Sequence, residues 1–211
     1  MDAPLKLTVF SSYICPWCYL GLARVEKLAG EIDLAVDWQP FELHPEIPPE
    51  GMAPEDLFGG HRRADDYMGM LREEGEKEGL IIRAPRRISR SLPSLEAAEF
   101  ARDSGEDAGR FRSALFEAYF SEGRDIGDQQ VLLDVATGCG MDGGMLTAAL
   151  SAGAYRDSVR DITRRAHQSG VTGTPTFIFD DRFAMVGAQS FDVFRSVAQR
   201  LIERRTTVPD A

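Results

Sequence analysis

Apolar residues in this chain repeat at every second position near both ends and at a helical period in between, and a chain divided that way has few means of burying its apolar surface. Leu5, Leu7 and Val9 alternate with Lys6, Thr8 and Phe10 as a short strand. A helix follows, with Pro16 at its first position, an apolar stripe of Leu22, Val25, Leu28 and Ala29, and Gly30 as its stop. Leu34 to Phe41 reads as a second strand, ended by Pro40 and by the turn-rich run from His44 to Gly51. From about Pro54 to Gly170 the helical period takes over. Leu57, His61, Ala64, Met68 and Leu71 share one face, Phe111, Ala114, Leu115, Ala118 and Tyr119 a second, and Tyr155, Val159, Ile162 and Ala166 a third. With Asp128 as an N-cap and Gly123, Gly138 and Gly170 as stops, this block is predicted to hold about five helices and no strand. Thr176–Phe179 and Phe183–Val186 then flank the turn Asp180-Asp181-Arg182 as a hairpin, and Ser190 caps a last helix with Phe191, Phe194, Val197, Ala198 and Leu201 inward.

The order is β-α-β, helical block, β-β-α. Neither outer segment has enough strands to be stable alone, so the two must pair across the block into one four-stranded mixed sheet flanked by helices. The fold class is α/β. Residues 1–50 and 171–205 form the discontinuous sheet domain, 51–170 an inserted helical domain, and 206–211 a frayed tail.

The chain has 211 residues, enough for a core without staples, and 43% hydrophobic with 27% charged residues is ordinary for a globular protein. A formal net charge of −10 argues against general nucleic-acid binding, which needs an excess of Lys and Arg. No apolar run approaches the roughly 20 residues of a membrane span, and the first residues lack the pattern of a secretory signal. The expected location is the cytoplasm. Three cysteines do not make a disulfide scaffold, and in a reducing compartment a close pair is catalytic or metal-binding more often than structural.

Two of the three stand in Cys15-Pro16-Trp17-Cys18, between the first strand and the first helix, the setting of a redox C-x-x-C. Positions i and i+3 of a helix are about 5–6 Å apart at Cβ, within the range a disulfide spans. With Pro16 at N1, Cys15 is the N-cap and lies by unpaired N–H groups and the positive end of the dipole, which lower a thiol pKa. Cys15 is the expected nucleophile and Cys18, one turn in, the resolving thiol. Trp17 brings no charge to Cys15, so the pair is expected to be less oxidising than one with His at position 17. Strand Leu5 to Phe10 carries no acid to take the Cys18 proton. Pro16 and Trp17 form the expected substrate rim. The Thr174-Pro175 turn before the third strand is suited to present the Thr174 backbone to an extended thiol substrate.

Joined to Trp38-Gln39-Pro40-Phe41-Glu42-Leu43-His44-Pro45, the run Ala118 to Ile126, Gly170-Val171-Thr172-Gly173-Thr174-Pro175-Thr176-Phe177 and Gly187-Ala188-Gln189, this motif resembles the DsbA-like thioredoxin-fold family, and within it the FrnE-type branch. The resemblance implies a thioredoxin fold with a helical insertion, dithiol–disulfide exchange with protein or small-molecule thiols, and a cis Thr174-Pro175 bond beside the cysteines. No cofactor is implied beyond the redox-active pair, with glutathione as a conceivable co-substrate. Glutathione transferases of the kappa class and hydroxychromene carboxylate isomerases resemble the chain in layout. They bind glutathione and typically have Ser at the position of Cys15, so a glutathione-dependent transferase or isomerase is the alternative.

Zinc binding by Cys15 and Cys18 is disfavoured, because Cys139, His44, His61 and His167 supply no second paired spacing. Cys139 reads as a helix-end thiol, His61 as a core or site-lining residue on an apolar stripe, and His167 as a complement to its helix dipole. Arg83, Arg86, Arg87 and Arg90 read as a solvated loop.

Overall fold

The computed structural model describes residues 3–58, 61–105 and 107–207, and only the backbone at 58, 61–67, 206 and 207. Strand β1 (Leu5–Ser11), helix α1 (Pro16–Ala29) and strand β2 (Leu34–Pro40) come first. Seven helices follow: α2 (Pro54–Phe58), α3 (His61–Lys77), α4 (Leu92–Asp103), α5 (Ala108–Phe116), α6 (Gln129–Gly138), α7 (Gly143–Ala152) and α8 (Arg156–Gln168). A single π-helical turn, Glu117–Ser121, continues α5. Strands β3 (Thr176–Phe179) and β4 (Phe183–Val186) and helix α9 (Phe191–Thr207) complete the chain.

The strands form one mixed sheet in the order β2-β1-β3-β4. β1 runs parallel to β2, with Leu5 opposite Leu34 and Ser11 opposite Pro40, and antiparallel to β3, with Leu7 opposite Phe179 and Phe10 opposite Thr176. This pairing across the helical block is the one expected from the weakness of each outer segment. Alternation then sorts the side chains. Leu5, Leu7, Val9, Phe177 and Phe179 face Val25 and Leu28 of α1 and Phe191, Phe194 and Ala198 of α9. On the other face Phe10 and Ile178 pack with Phe41, Val171 and Ala166 of α8.

Helix α1 is buried on more than its predicted stripe. Val25 and Leu28 meet the sheet, but Tyr19, Leu20 and Leu22 belong to a second, larger core with Leu95, Phe111, Leu115 and Phe120 from the helical block. Ala29, expected inward, is exposed. A helix clamped between two cores is fixed from both sides, and its N-terminus inherits that rigidity.

Two expectations for the block need correction. It holds seven α-helices among the described residues, not about five. Helix α4 buries Glu96 and Glu99 beside its leucines, and α7 opens on Gly143-Gly144, so neither shows a clean apolar stripe. Gly138 lies inside α6; the left-handed residue that ends this helix is Gly140, at φ +89°. Asp128 does cap α6, accepting from the Gln130 N–H at 2.7 Å. At the C-terminus the helix runs to Thr207, past the expected start of the tail, and residues 208–211 lie outside the described residues, as does the His61 side chain.

Candidate active site

Cys15 is the N-cap of α1 in extended conformation (φ −94°, ψ 113°), and Pro16 opens the helix. Because Pro16 has no N–H, the first donors of the helix are those of Trp17 and Cys18, and both favour the Cys15 thiolate. The Cys15 thiol donates to the Thr174 carbonyl at 3.4 Å, and the Thr174-Pro175 bond is cis. On the inner side, the Ser12 N–H donates to the Cys18 sulfur at 3.5 Å. Both cysteines are free thiols and both are buried.

The two sulfurs are electrostatically unlike. A hydrogen bond from the Cys18 thiol, above all, holds Cys15 below the ordinary thiol range, with help from Thr174 and the two backbone N–H groups and against the cost of burial. Burial, above all, pushes Cys18 well up, and the hydrogen bond and charge of Cys15 push it the same way. Two hydroxyls act on this contrast in opposite senses, Thr174 widening it and Ser11 narrowing it. Thr174 Oγ1 and Ser11 Oγ are buried with no hydrogen-bond partner. The first lies beside Cys15 and the second beside Cys18, each favouring the thiolate of its neighbour.

Trp17 and Pro16 are half-buried, and Trp17 packs against the helical-block core. That core closes on the site through an aromatic stack: Tyr13 is 4.9 Å from Phe116, and Tyr19 is 5.4 Å from Phe116 and 5.9 Å from Phe120. The π-helical turn that carries Phe120 also aims Tyr119, whose hydroxyl accepts from the Ser89 N–H at 3.3 Å.

Sequence periodicity does not single out Arg24, because an arginine nearly two turns beyond Cys18 looks like a solvent-facing residue. It is in fact one of the largest fully buried side chains. Nε donates to Glu78 at 3.0 Å and one amino group to Glu74 at 2.7 Å, both on or just past the end of α3. The other amino group donates to the carbonyls of Ala188 and Gln189, at 2.6 and 2.8 Å. The neighbouring Gly187 N–H donates to the Pro175 carbonyl at 2.8 Å. A circuit therefore closes from Cys15 down α1 to Arg24, across to residues 187–189, and back through Pro175 and Thr174 to Cys15. Gly21 lets α1 come this near, since a Cβ there would stand 2.8 Å from the Phe177 ring.

Other predicted residues lie elsewhere. Cys139 caps the C-terminus of α6 and is pushed up by burial, with Arg110 and Asp107 as its charged neighbours. His44 pairs with Glu46 at 2.9 Å, and the His167 ring lies 4.7 Å from Phe41. Arg87 donates to the Glu50 and Gly51 carbonyls, so it braces a loop and is not simply solvated. Among the described residues no cluster of three or more His, Cys, Asp or Glu is arranged to hold a metal ion.

Residues 6–199 match the family model described as DSBA-like thioredoxin domain. The chain belongs to this family. The protein YwbO of Bacillus subtilis (strain 168) is 31% identical over 195 residues, 90% of this chain and 94% of YwbO. A probable DsbA oxidoreductase from Streptomyces coelicolor superposes with a TM-score of 0.88 at 27% identity, over 98% of this chain and 93% of that one. Two more distant neighbours share the fold alone. A 2-hydroxychromene-2-carboxylate isomerase gives a TM-score of 0.80 at 19% identity, over 97% and 100% of the two chains. The cytosolic disulfide reductase DsbM of Pseudomonas aeruginosa, solved with GSH, gives 0.67 at 19% identity, over 94% and 100%. No described helix is long and apolar enough to cross a membrane.

Proposed function

We propose that this DSBA-like protein is a thiol–disulfide oxidoreductase of the FrnE type, with Cys15 as nucleophile, Cys18 as resolving thiol and Thr174-Pro175 as the edge against which the substrate lies. The observation that carries this reading is the asymmetry of the pair: hydrogen bonds favour the Cys15 thiolate, while burial keeps Cys18 protonated. Only such a pair has an attacking thiol that is ready and a resolving thiol that waits.

In the reducing direction the Cys15 thiolate attacks a substrate disulfide. The substrate S–S bond breaks, one half leaves as a thiolate and takes a proton, and a mixed disulfide to Cys15 forms. Cys18 then loses its proton, attacks the Cys15 sulfur and releases the second half as a thiol. Two electrons have passed from the pair to the substrate, and the Cys15–Cys18 disulfide remains. The oxidising direction runs the same steps in reverse. An extended substrate joined to Cys15 lies next to the Thr174 backbone, where a strand-like pairing orients it, while Pro16 and Trp17 form the rim. Substrates are protein or small-molecule thiols and disulfides, with glutathione as a co-substrate, and the compartment is the cytoplasm.

Insulin reduction and dithiol oxidation test the assignment. The wild-type protein is active in one or both assays, Cys15→Ser abolishes the activity, and Cys18→Ser accumulates a mixed disulfide visible by mass. Full activity in Cys15→Ser overturns the reading. The isomerase-like shape favours a second reading, a glutathione-dependent isomerase or transferase of the kappa or hydroxychromene carboxylate isomerase type. It is the correct one if glutathione-dependent turnover survives Cys18→Ala.

A further inference from the structure

At the carboxyl ends of the parallel strands β1 and β2, on the side of β1 away from Thr174-Pro175, a cleft opens between the sheet and helices α4 and α5. Its polar lining is Ser11, Tyr13, Gln39, Glu99, Arg102 and Arg112, with the Trp38 ring as one wall and room for about two water molecules. Carboxyl ends of parallel strands are where open α/β sheets commonly take ligands. The cleft adjoins the redox pair, since Tyr13 stands two residues before Cys15 and the Ser11 hydroxyl lies beside Cys18.

Arg112 gives the cleft its character. Its guanidinium lies 4.5 Å over the Trp38 ring and within reach of the Tyr13 hydroxyl, and burial disfavours its charge. Arg112 forms no ion pair among the described residues. A partly desolvated cation with no carboxylate in ion-pair contact is costly, and a guanidinium fork fits a carboxylate through two parallel hydrogen bonds. Opposite, from α4, comes Glu99, which is 3% exposed and held by Arg102. Burial, above all, raises its carboxyl to about 7, with Asp103 and Asp37 adding to the rise and Arg102 opposing it. Near neutral pH it is therefore partly protonated and able to donate a hydrogen bond. Ser11 Oγ is buried without a hydrogen-bond partner on the same side.

We propose that this cleft is a carboxylate-binding subsite, in which Arg112 meets the charge of a free carboxylate on the thiol or disulfide substrate held at Cys15 and the Glu99 carboxyl donates to it. The proposal rests on the oxidoreductase reading above. The same chemistry is offered by the carboxylates of glutathione and by the C-terminal carboxylate of a cysteine-containing peptide. A bound carboxylate favours protonated Glu99, so affinity falls as pH rises through the range in which Glu99 ionises. The titratable and charged groups facing Glu99 are Arg102, Asp103 and Asp37, and those facing Arg112 are Tyr13, Glu26 and Asp107.

The test compares kcat/KM for four disulfide substrates: oxidised glutathione, its ethyl ester, and a short disulfide-linked peptide with either a C-terminal carboxylate or a C-terminal amide. In the wild-type protein at pH 6 the carboxylate form of at least one pair is favoured about tenfold, the scale of a charge-assisted hydrogen bond, and less at pH 8. Preference in the glutathione pair alone, or in the peptide pair alone, names the source. Arg112→Gln brings the ratio to about one, Arg112→Lys keeps part of it, and Glu99→Gln keeps the preference but flattens its pH dependence. A ratio near one for both pairs in the wild type, or an unchanged ratio in a folded Arg112→Gln, overturns the subsite. If none of the four is turned over, the redox reading fails. The subsite is then judged by Trp38 fluorescence, which S-methylglutathione perturbs at lower concentration than its ester if the subsite exists, and equally if it does not.

Discussion

The two flanks of β1 at its carboxyl end are built by different means. On the β3 flank the contacts come from backbone: the Thr174 carbonyl at Cys15, the Gly187 N–H on Pro175, and the carbonyls of Ala188 and Gln189, with Arg24 as the tie. On the β2 flank they come from side chains delivered by the inserted helices, among them Glu99 from α4 and Arg112 from α5, with Tyr13 between. A backbone-built wall depends on the path of the chain and little on residue identity. A wall of side chains depends on each residue, and it titrates. In the proposed exchange the first flank is the fixed edge, and the second is the proposed seat of specificity and pH response.

Breaking the tie on the β3 flank has the largest expected effect. Arg24→Met leaves Glu78 and Glu74 without their buried partner and frees the 187–189 loop, costing about 4 kcal/mol of stability, the scale for breaking a buried ion pair. Urea unfolding reads the stability. The kcat/KM for insulin reduction falls with it, and Arg24→Lys recovers part of both. Unchanged values in Arg24→Met would show that the backbone wall stands without its tie.

On the β2 flank the expected effect is smaller and depends on pH. The Glu99 carboxyl is raised to about 7 in the fold from an unfolded value of 4.5, so the fold favours the protonated form. Its contribution to stability is fully present below the unfolded value and is lost as pH rises through about 7. The loss reaches at most about 3 kcal/mol. Glu99→Gln removes that slope, so the variant gains stability relative to wild type at pH 8 but not at pH 4. Parallel unfolding curves for the two proteins across that range would refute the claim that Glu99 titrates within the fold.

The smallest effect is expected at the rim both flanks share. Trp17→His places a partly charged ring by the Cys15 thiolate, stabilises the reduced pair and shifts the potential by about 20 mV towards oxidation, equivalent to ~1 kcal/mol. Redox titration against glutathione measures it. A variant that is unchanged or more reducing would show that charge at position 17 does not set the poise.

Much of this was legible beforehand because it rests on local rules. Alternation located β1, and β3 and β4 fall where turn chemistry around Asp180-Asp181 puts them. Pro16 after Cys15 makes the cysteine an N-cap through a missing N–H and needs no distant contact. What periodicity missed shares a cause. Arg24, Glu96 and Glu99 are charged residues inside cores, and a pattern that equates charge with solvent assigns them outward. Helix α4, which buries two of them, was therefore not seen, and the absence of an acid in β1 left the site without a visible titratable neighbour. Glu99 reaches the same region from a helix roughly ninety positions along the chain.

By itself, then, the sequence determined the strand and helix order, the need to pair strands across an insertion, and a cysteine at a helix N-terminus, because each follows from interactions within a few residues or from the requirement to bury an apolar face. Only the tertiary structure decided what the two sulfurs meet and what lies near them. Thr174 stands against Cys15 and Ser11 against Cys18, Arg24 ties α1 to the 187–189 loop, and Glu99 and Arg112 line the adjoining cleft. Those neighbours come from segments far apart in the chain. What makes them matter is desolvation and the pairing of buried charges, which depend on the packed interior and not on any local pattern.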